Sequence, residues 1–214
     1  VKAHPALLLI ISFVFFSCRG SSPVIHELDW RILYRDDGAT RHEELSVFLR
    51  ISDPDGSEDP AKIIVIAGDT GLMWSFQQHE WLWGSADGRD WTGLPSMIPL
   101  SGFRLPDSLY TVRLEDLAGH SYETSFRPDP DRPSIDELEW PVAALENGAI
   151  QFTSSSSSAW LILRNENLNH QNSMGVSDGD VVDTQAAHFW ELWIDDQSES
   201  FRLGPYPVST SVSE

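Results

Sequence analysis

The sequence predicts an all-β protein, a β-sandwich over residues 24–127 followed by a smaller β-rich unit over 134–206. Three observations predict it. Short runs alternate apolar and polar residues with a period of two, the mark of half-buried strands. Clusters of Asp, Pro and Gly separate those runs as turns. No stretch between residues 24 and 130 sustains the 3.6-residue spacing of an amphipathic helix.

The elements follow in order. Residues 24–34 (VIHELDWRILY) place Ile25, Trp30, Ile32 and Tyr34 at partly alternating positions. Residues 44–52 (ELSVFLRIS) alternate cleanly, with Leu45, Val47, Leu49 and Ile51 on one face. Asp53-Pro54-Asp55-Gly56 is a turn, and Ile63 to Ala67 is a short buried strand ending at Gly68. Leu72 to Phe76 and the segment around Trp81 and Trp83 are expected to form a further hairpin. Residues 109–114 (LYTVRL) alternate again, Asp116 to Gly119 is a turn, and Ser121 to Phe126 closes the unit.

Residues 105–120 (LPDSLYTVRLEDLAGH) resemble the closing hairpin of bacterial immunoglobulin-like and fibronectin type III-like domains. That hairpin often carries Pro-x-Gly/Ser-x-Tyr followed by Asp-x-Ala-Gly, and Ser108 stands here at the position usually held by Gly. The resemblance centres on residues 44–127. It implies an immunoglobulin-like sandwich and no particular activity.

Residues 128–133 form a Pro-rich linker, expected to be extended and stiff. Beyond it the chain echoes itself. Residues 23–30 (PVIHELDW) and 133–140 (PSIDELEW) share five of eight positions. Residues 109–116 are echoed by 189–196, and Ser125-Phe126-Arg127 by Ser200-Phe201-Arg202. Three matches in the same order indicate a degenerate repeat. The second unit is shorter and is expected to pack against the first. Ser154 to Ser158 reads as a flexible loop, residues 165–187 as a long polar loop, and residues 207–214 as a frayed tail.

Residues 1–17 read as a signal peptide. Ala6 to Ser17 is uncharged and apolar, about the length of a secretory core at roughly 7–15 residues and short of the ~20 that a spanning helix needs. Phe15-Phe16-Ser17-Cys18 resembles the lipobox of bacterial lipoproteins, in the relaxed form of spirochaetes and related groups. The resemblance implies lipid on Cys18, cleavage before it, and a tether over 18–23. Two acyl chains hold a protein stably on a membrane. Ordinary cleavage that discards Cys18, and an uncleaved anchor, are the other readings of this segment. Cys18 is the only cysteine in the chain, so the body has no internal disulfide.

Composition bounds the function. Fourteen basic against thirty-three acidic residues give a net charge of −19, which repels phosphate backbones and argues against nucleic acid as a partner. Nine Trp and ten Phe supply ample core material. There is no Gly-x-Ser-x-Gly elbow and no Gly-rich phosphate loop. His79-Glu80 lacks the second His of a zinc helix, and the seven histidines, His26, His120 and His188 among them, show no metal-ligand spacing. The acid pairs Glu115-Asp116 and Asp195-Asp196 read as solvated hairpin ends. The chain is therefore expected to be non-catalytic.

Two candidate sites remain. Asp53, Asp55, Glu58 and Asp59 place four carboxylates in seven residues, a weak Ca²⁺ candidate against the plainer reading of an acidic turn. Trp74, Trp81, Trp83 and Trp91 fall within eighteen residues. They are either core or an aromatic surface for a sugar or protein, and an extended segment would put Trp81 and Trp83 on one face. The expected protein is an exported, membrane-anchored lipoprotein of the bacterial cell envelope that offers its β-modules to a protein partner or serves an envelope structural role. The alternative is a carbohydrate-binding module using residues 72–91.

Overall fold

The computed structural model describes residues 20–100, 103–146, 149–153, 159–184, 187–195 and 199–208. The signal segment 1–17, Cys18 and the serine run 154–158 lie outside these residues, as do Asp196 and the last residues of the tail, 209–214.

The protein is all-β. The first unit consists of β1 (Val24–Asp36), β2 (Arg41–Ser52), β3 (Pro60–Ala67), β4 (Leu72–Gln77), β5 (Leu82–Ala86), β6 (Arg89–Gly93), β7 (Tyr110–Asp116) and β8 (Ser121–Phe126). Strands β1-β2-β6-β5 face the sheet β4-β3-β7-β8, the A-B-E-D against C′-C-F-G order of the immunoglobulin fold. Its core is assembled by strand parity. Leu45, Val47 and Leu49 of β2 meet Ile63, Val65 and Ala67 of β3 and Tyr110, Val112 and Leu114 of β7, all buried. Each buried Leu, Val or Ile contributes about 1.5–3 kcal/mol. The Tyr110 hydroxyl donates to the Pro106 carbonyl at 2.9 Å, the tyrosine corner of immunoglobulin-like domains.

The second unit consists of β9 (Val142–Glu146), β10 (Ala149–Thr153), β11 (Ala159–Arg164), β12 (His170–Val176), β13 (Val181–Asp183), β14 (Phe189–Asp195) and β15 (Ser200–Pro207). It does not start a separate sheet. β15 pairs in parallel with the second half of β1, from Leu33↔Ser200 to Asp36↔Leu203. One eight-stranded sheet therefore runs β12-β11-β14-β15-β1-β2-β6-β5 through both units. Its second half is covered by the three-stranded sheet β13-β10-β9. Tyr34 of β1 is buried there among Leu161, Trp190, Leu192 and Phe201, while Ile32 touches both cores. The partial alternation of residues 24–34 has a cause: a bulge between Ile25 and Glu27 shifts the register, so the inward parity passes from Ile25 to Leu28, Trp30, Ile32 and Tyr34.

Four expectations change. Residues 72–76 do not form a hairpin with Trp81 and Trp83. β4 pairs with β3, and the 3-10 turn Gln78–Glu80 carries the chain across to the other sheet, where β5 pairs with β6. The polar stretch 165–187 holds strands β12 and β13, each paired on one side only; a sheet edge tolerates polar residues because one flank is solvated. The matching octapeptides adopt different structures. Residues 24–30 are strand, whereas 135–137 form a 3-10 turn set by Ser134 and Glu137 as a capping box. Pro207, the first residue of the tail expected to fray, still pairs with Phe189 as the last residue of β15. The later matches do fall on like elements, the antiparallel hairpins β7–β8 and β14–β15, with Phe126 and Phe201 both buried.

The Pro-rich segment is held against the first unit. Pro128 is buried, and Arg132 reaches into the body to bind Glu43 of β2, Asp107 and the Leu105 carbonyl.

Candidate functional site

Four regions gather candidate functional side chains. The first is the end of the sandwich where residues 20–23 lead into β1. The loop between β2 and β3 folds back on itself: Asp53 Oδ1 accepts the Asp55 N–H at 2.8 Å, and the Asp59 carbonyl accepts the Leu117 N–H at 3.0 Å. That second bond pulls the β7–β8 turn alongside. As a result Asp53 and Asp59 converge with Asp116, each offering a carboxylate oxygen within 4.8 Å of the others. Asp116 is buried and accepts both the backbone N–H of His120 at 2.7 Å and, from its ring, Nδ1 at 2.9 Å. Burial opposes the charge on Asp116, but the His120 bonds outweigh it and hold the carboxyl below its ordinary value. Desolvation, with the charges of Asp53, Asp116 and Asp55, pushes Asp59 up.

The acidic set that converges thus differs from the one the loop sequence suggests. Asp55 and Glu58 are exposed, and Asp55 takes the Ser21 N–H at 2.5 Å. Asp116, read from sequence as a solvated hairpin end, is the buried member. Its signal was parity: Tyr110, Val112, Leu114 and Asp116 share the inward face of β7. Three further histidines contribute nothing to the trio: the His26 ring pairs with Ser52 Oγ at 2.7 Å, and His79 and His188 are exposed.

The second region is the Trp-rich segment. Trp81 belongs to the first core at 5 % exposure and donates Nε1–H to the Phe76 carbonyl. Trp83, on edge strand β5, is 62 % exposed. The two rings touch at 5.9 Å between centroids but are inclined by 55°, so they form no flat platform. Trp74 packs against the core with Nε1–H on the Ile98 carbonyl, and Trp91 is half-buried on β6. Because Trp83 pairs with Thr92 and Trp91 with Gly84, the two project from opposite faces of the hairpin.

Sequence reasoning missed the third region, the outer face of the large sheet. Trp160 and Trp193 are register partners on β11 and β14, 54 % and 44 % exposed. The inward positions of these strands, Leu161, Leu163, Leu192 and Ile194, fill the second core, so parity turns both indoles outward. Arg202 lies over the Trp193 ring at 4.9 Å, and Trp193 donates to Glu191 at 2.9 Å. Glu191 is buried beneath Arg164 and Arg202, and Glu44 beneath Arg35 and Arg202. This mesh ties β2 to β11, β14 and β15 across the outer face.

The fourth region is an open cleft of about 640 Å³ where the units meet, lined by Asp36, Arg41, Phe103, Arg104 and Ile135 among others. Arg41 binds Asp36 at 2.8 Å and stacks over Trp140 at 4.5 Å.

No family model matches the chain, and none of the curated proteins matches it. Among solved structures, a chain described as "Biofilm associated protein - BSP domain" is similar with 10% identity and a TM-score of 0.27, over 87% of this chain. This chain spans 30% of that one.

Proposed function

We propose that this chain is an exported, non-catalytic lipoprotein, anchored to a membrane by lipid on Cys18, whose β-body presents surfaces to a protein partner. The observation that carries the reading is the shared strand β1. Its first residue, Val24, follows directly on the segment that would be the tether, and its far end lies in the second core. Thirteen extended residues span roughly 40 Å at about 3.3 Å each. An anchor at one end would thus hold the second unit, with Trp160 and Trp193, well away from the bilayer. The continuous sheet supports the same reading, because rigid elements present a binding face better than hinged ones. Among the described residues no helix is long and apolar enough to cross a membrane.

Labelling cells with a fatty-acid analogue tests the anchor. The wild type should take up label and sediment with membranes, and Cys18→Ser should lose both. Equal labelling of the two would remove Cys18 from the account.

A carbohydrate-binding reading of residues 72–91 is favoured by one observation, the exposure of Trp83 beside exposed Leu82. Affinity electrophoresis in gels containing neutral polysaccharides tests it: Trp83→Ala should abolish retardation. If the wild type itself is not retarded, this second reading fails.

A further inference from the structure

We infer that Asp53, Asp59 and Asp116 form a Ca²⁺ site that bolts the β2–β3 loop to the β7–β8 turn. Two carboxylates of the β2–β3 loop and one from the end of β7, far along the chain, place oxygens within 4.8 Å of one another. That separation is about twice a Ca–O distance of ~2.4 Å, so one ion can touch all three. Crowded acids are common on an acidic protein, and the crowding by itself would mean little. The telling atom is Oδ2 of Asp53. It is shut off from solvent and accepts no hydrogen bond from any described residue, although Oδ1 of the same side chain is satisfied. A buried carboxylate oxygen without a donor is costly, and a cation beside two further carboxylates removes that cost.

No basic side chain fills the role. Among the described residues no Lys or Arg forms an ion pair with Asp53, Asp59 or Asp116. The His120 ring, held on Asp116, stands beside the trio. The chain as a whole carries −19, a field that concentrates divalent cations. Hard carboxylate oxygens select Ca²⁺ or Mg²⁺ over softer metals. Ca²⁺ fits better, because it accepts irregular shells of 6–8 oxygens, whereas Mg²⁺ demands a compact octahedron.

The site also has a structural reach. Asp55, two residues from Asp53, holds the Ser21 backbone, and Gly20 lies against His120 and Asp55. An ion that fixes the two loops therefore fixes the root of the N-terminal segment. The inference concerns the loops alone and stands whether or not Cys18 is acylated.

The test uses the full chain carrying Cys18→Ser, stripped with chelator and titrated with CaCl2 or MgCl2. Equilibrium dialysis should find one Ca²⁺ per chain, and the melting temperature should rise as millimolar CaCl2 is added, with a smaller rise for MgCl2. Asp116→Asn removes a buried charge and could fail to fold, so Asp59→Asn is the second variant. It should fold and lose at least tenfold in Ca²⁺ affinity. Glu58→Gln, on the same loop but outside the trio, should bind within threefold of the parent. A parent that binds no Ca²⁺, or an Asp59→Asn variant that matches it, would overturn the site. An equal loss in Glu58→Gln would do so too, because it would mean diffuse charge attraction only.

Discussion

Arg132 and Glu43 form a bidentate ion pair inside the protein. Nε of Arg132 donates to Oε1 at 3.1 Å and Nη2 to Oε2 at 3.0 Å, with side chains 7 % and 0 % exposed. Glu43 also accepts the Leu105 N–H at 2.8 Å, and Arg132 gives a further bond to the Leu105 carbonyl at 2.7 Å. A segment whose prolines suggest an extended, stiff linker is thereby clipped to the first sandwich. Loss of one partner strands a buried charge, a change that typically costs about 3–5 kcal/mol. Arg132→Ala should therefore lower the free energy of unfolding in urea by about that amount. Asp107→Ala removes only the exposed side of the cluster and should cost about 1 kcal/mol or less. Equal losses in the two variants would mean that the clip contributes no more than a surface pair.

The two indoles in contact at the β5 edge should separate in a stability measurement. Trp81 is core and hydrogen-bonded, so Trp81→Ala should cost about 3–5 kcal/mol. Trp83 is mostly exposed, and Trp83→Ala should change stability by no more than about 0.5 kcal/mol. Chemical denaturation of both variants checks this. A large loss from Trp83→Ala would show that its contact with Trp81 closes the core, and would leave little ground for a binding role.

What could be read from sequence was local periodicity. The clean alternation of residues 44–52 named the inward face of β2, with Leu45, Val47 and Leu49 in the core, and the alternation of 109–114 marked a strand, whose inward positions the fold then fixes as Tyr110, Val112 and Leu114. The closing hairpin motif led to the sandwich, and Tyr110 proved to be its corner tyrosine. What could not be read was pairing at long range. Nothing in residues 200–207 announces a parallel partner in β1, since parallel pairing is fixed by the packing of the second core around Tyr34. The single-residue bulge at Ile25/Glu27 hid the alternation of β1. The candidate acidic site was half legible: Asp53 and Asp59 sit in one loop, but Asp116 joins them only because the fold brings two turns together. Trp160 and Trp193 were overlooked because they lie 33 residues apart and meet only through strand register.

Alkaline titration should expose the buried phenols. Burial and the nearby Glu43 push Tyr34 up to about 12, against a smaller opposing effect of Arg132. Burial likewise holds Tyr110 at about 12, and burial with the Asp36 carboxylate raises Tyr206 further. A phenol whose folded value exceeds its unfolded value near 10 adds stability below pH 10, and that stability is lost as pH rises toward the folded value. Absorbance at 295 nm should therefore show these three ionising late and together with unfolding. Complete ionisation near pH 10 with the fold intact would contradict their burial.

Acid should act through the outer face of the large sheet. Burial raises the pKa of Glu191, but its bonds to Arg202, Trp193 and Arg164 outweigh that and hold it below the ordinary carboxylate value. Asp195 shifts the same way: burial opposes, while Ser200 and Arg31 prevail. A depressed folded value means stability that is fully present above the unfolded value, about 4.3 for Glu, and lost as pH falls through the folded one. Unfolding free energy should thus stay level near neutrality and decline below about pH 4. Glu191→Gln should reduce stability at pH 7, because Arg164 and Arg202 lose their shared acceptor, and should also flatten the acid decline, because one depressed carboxyl no longer titrates. The second effect is the discriminating one. A variant that is merely misfolded would be weaker at every pH with an unchanged slope, and that slope would rule out Glu191 as the group through which acid loosens β14 from β11 and β15.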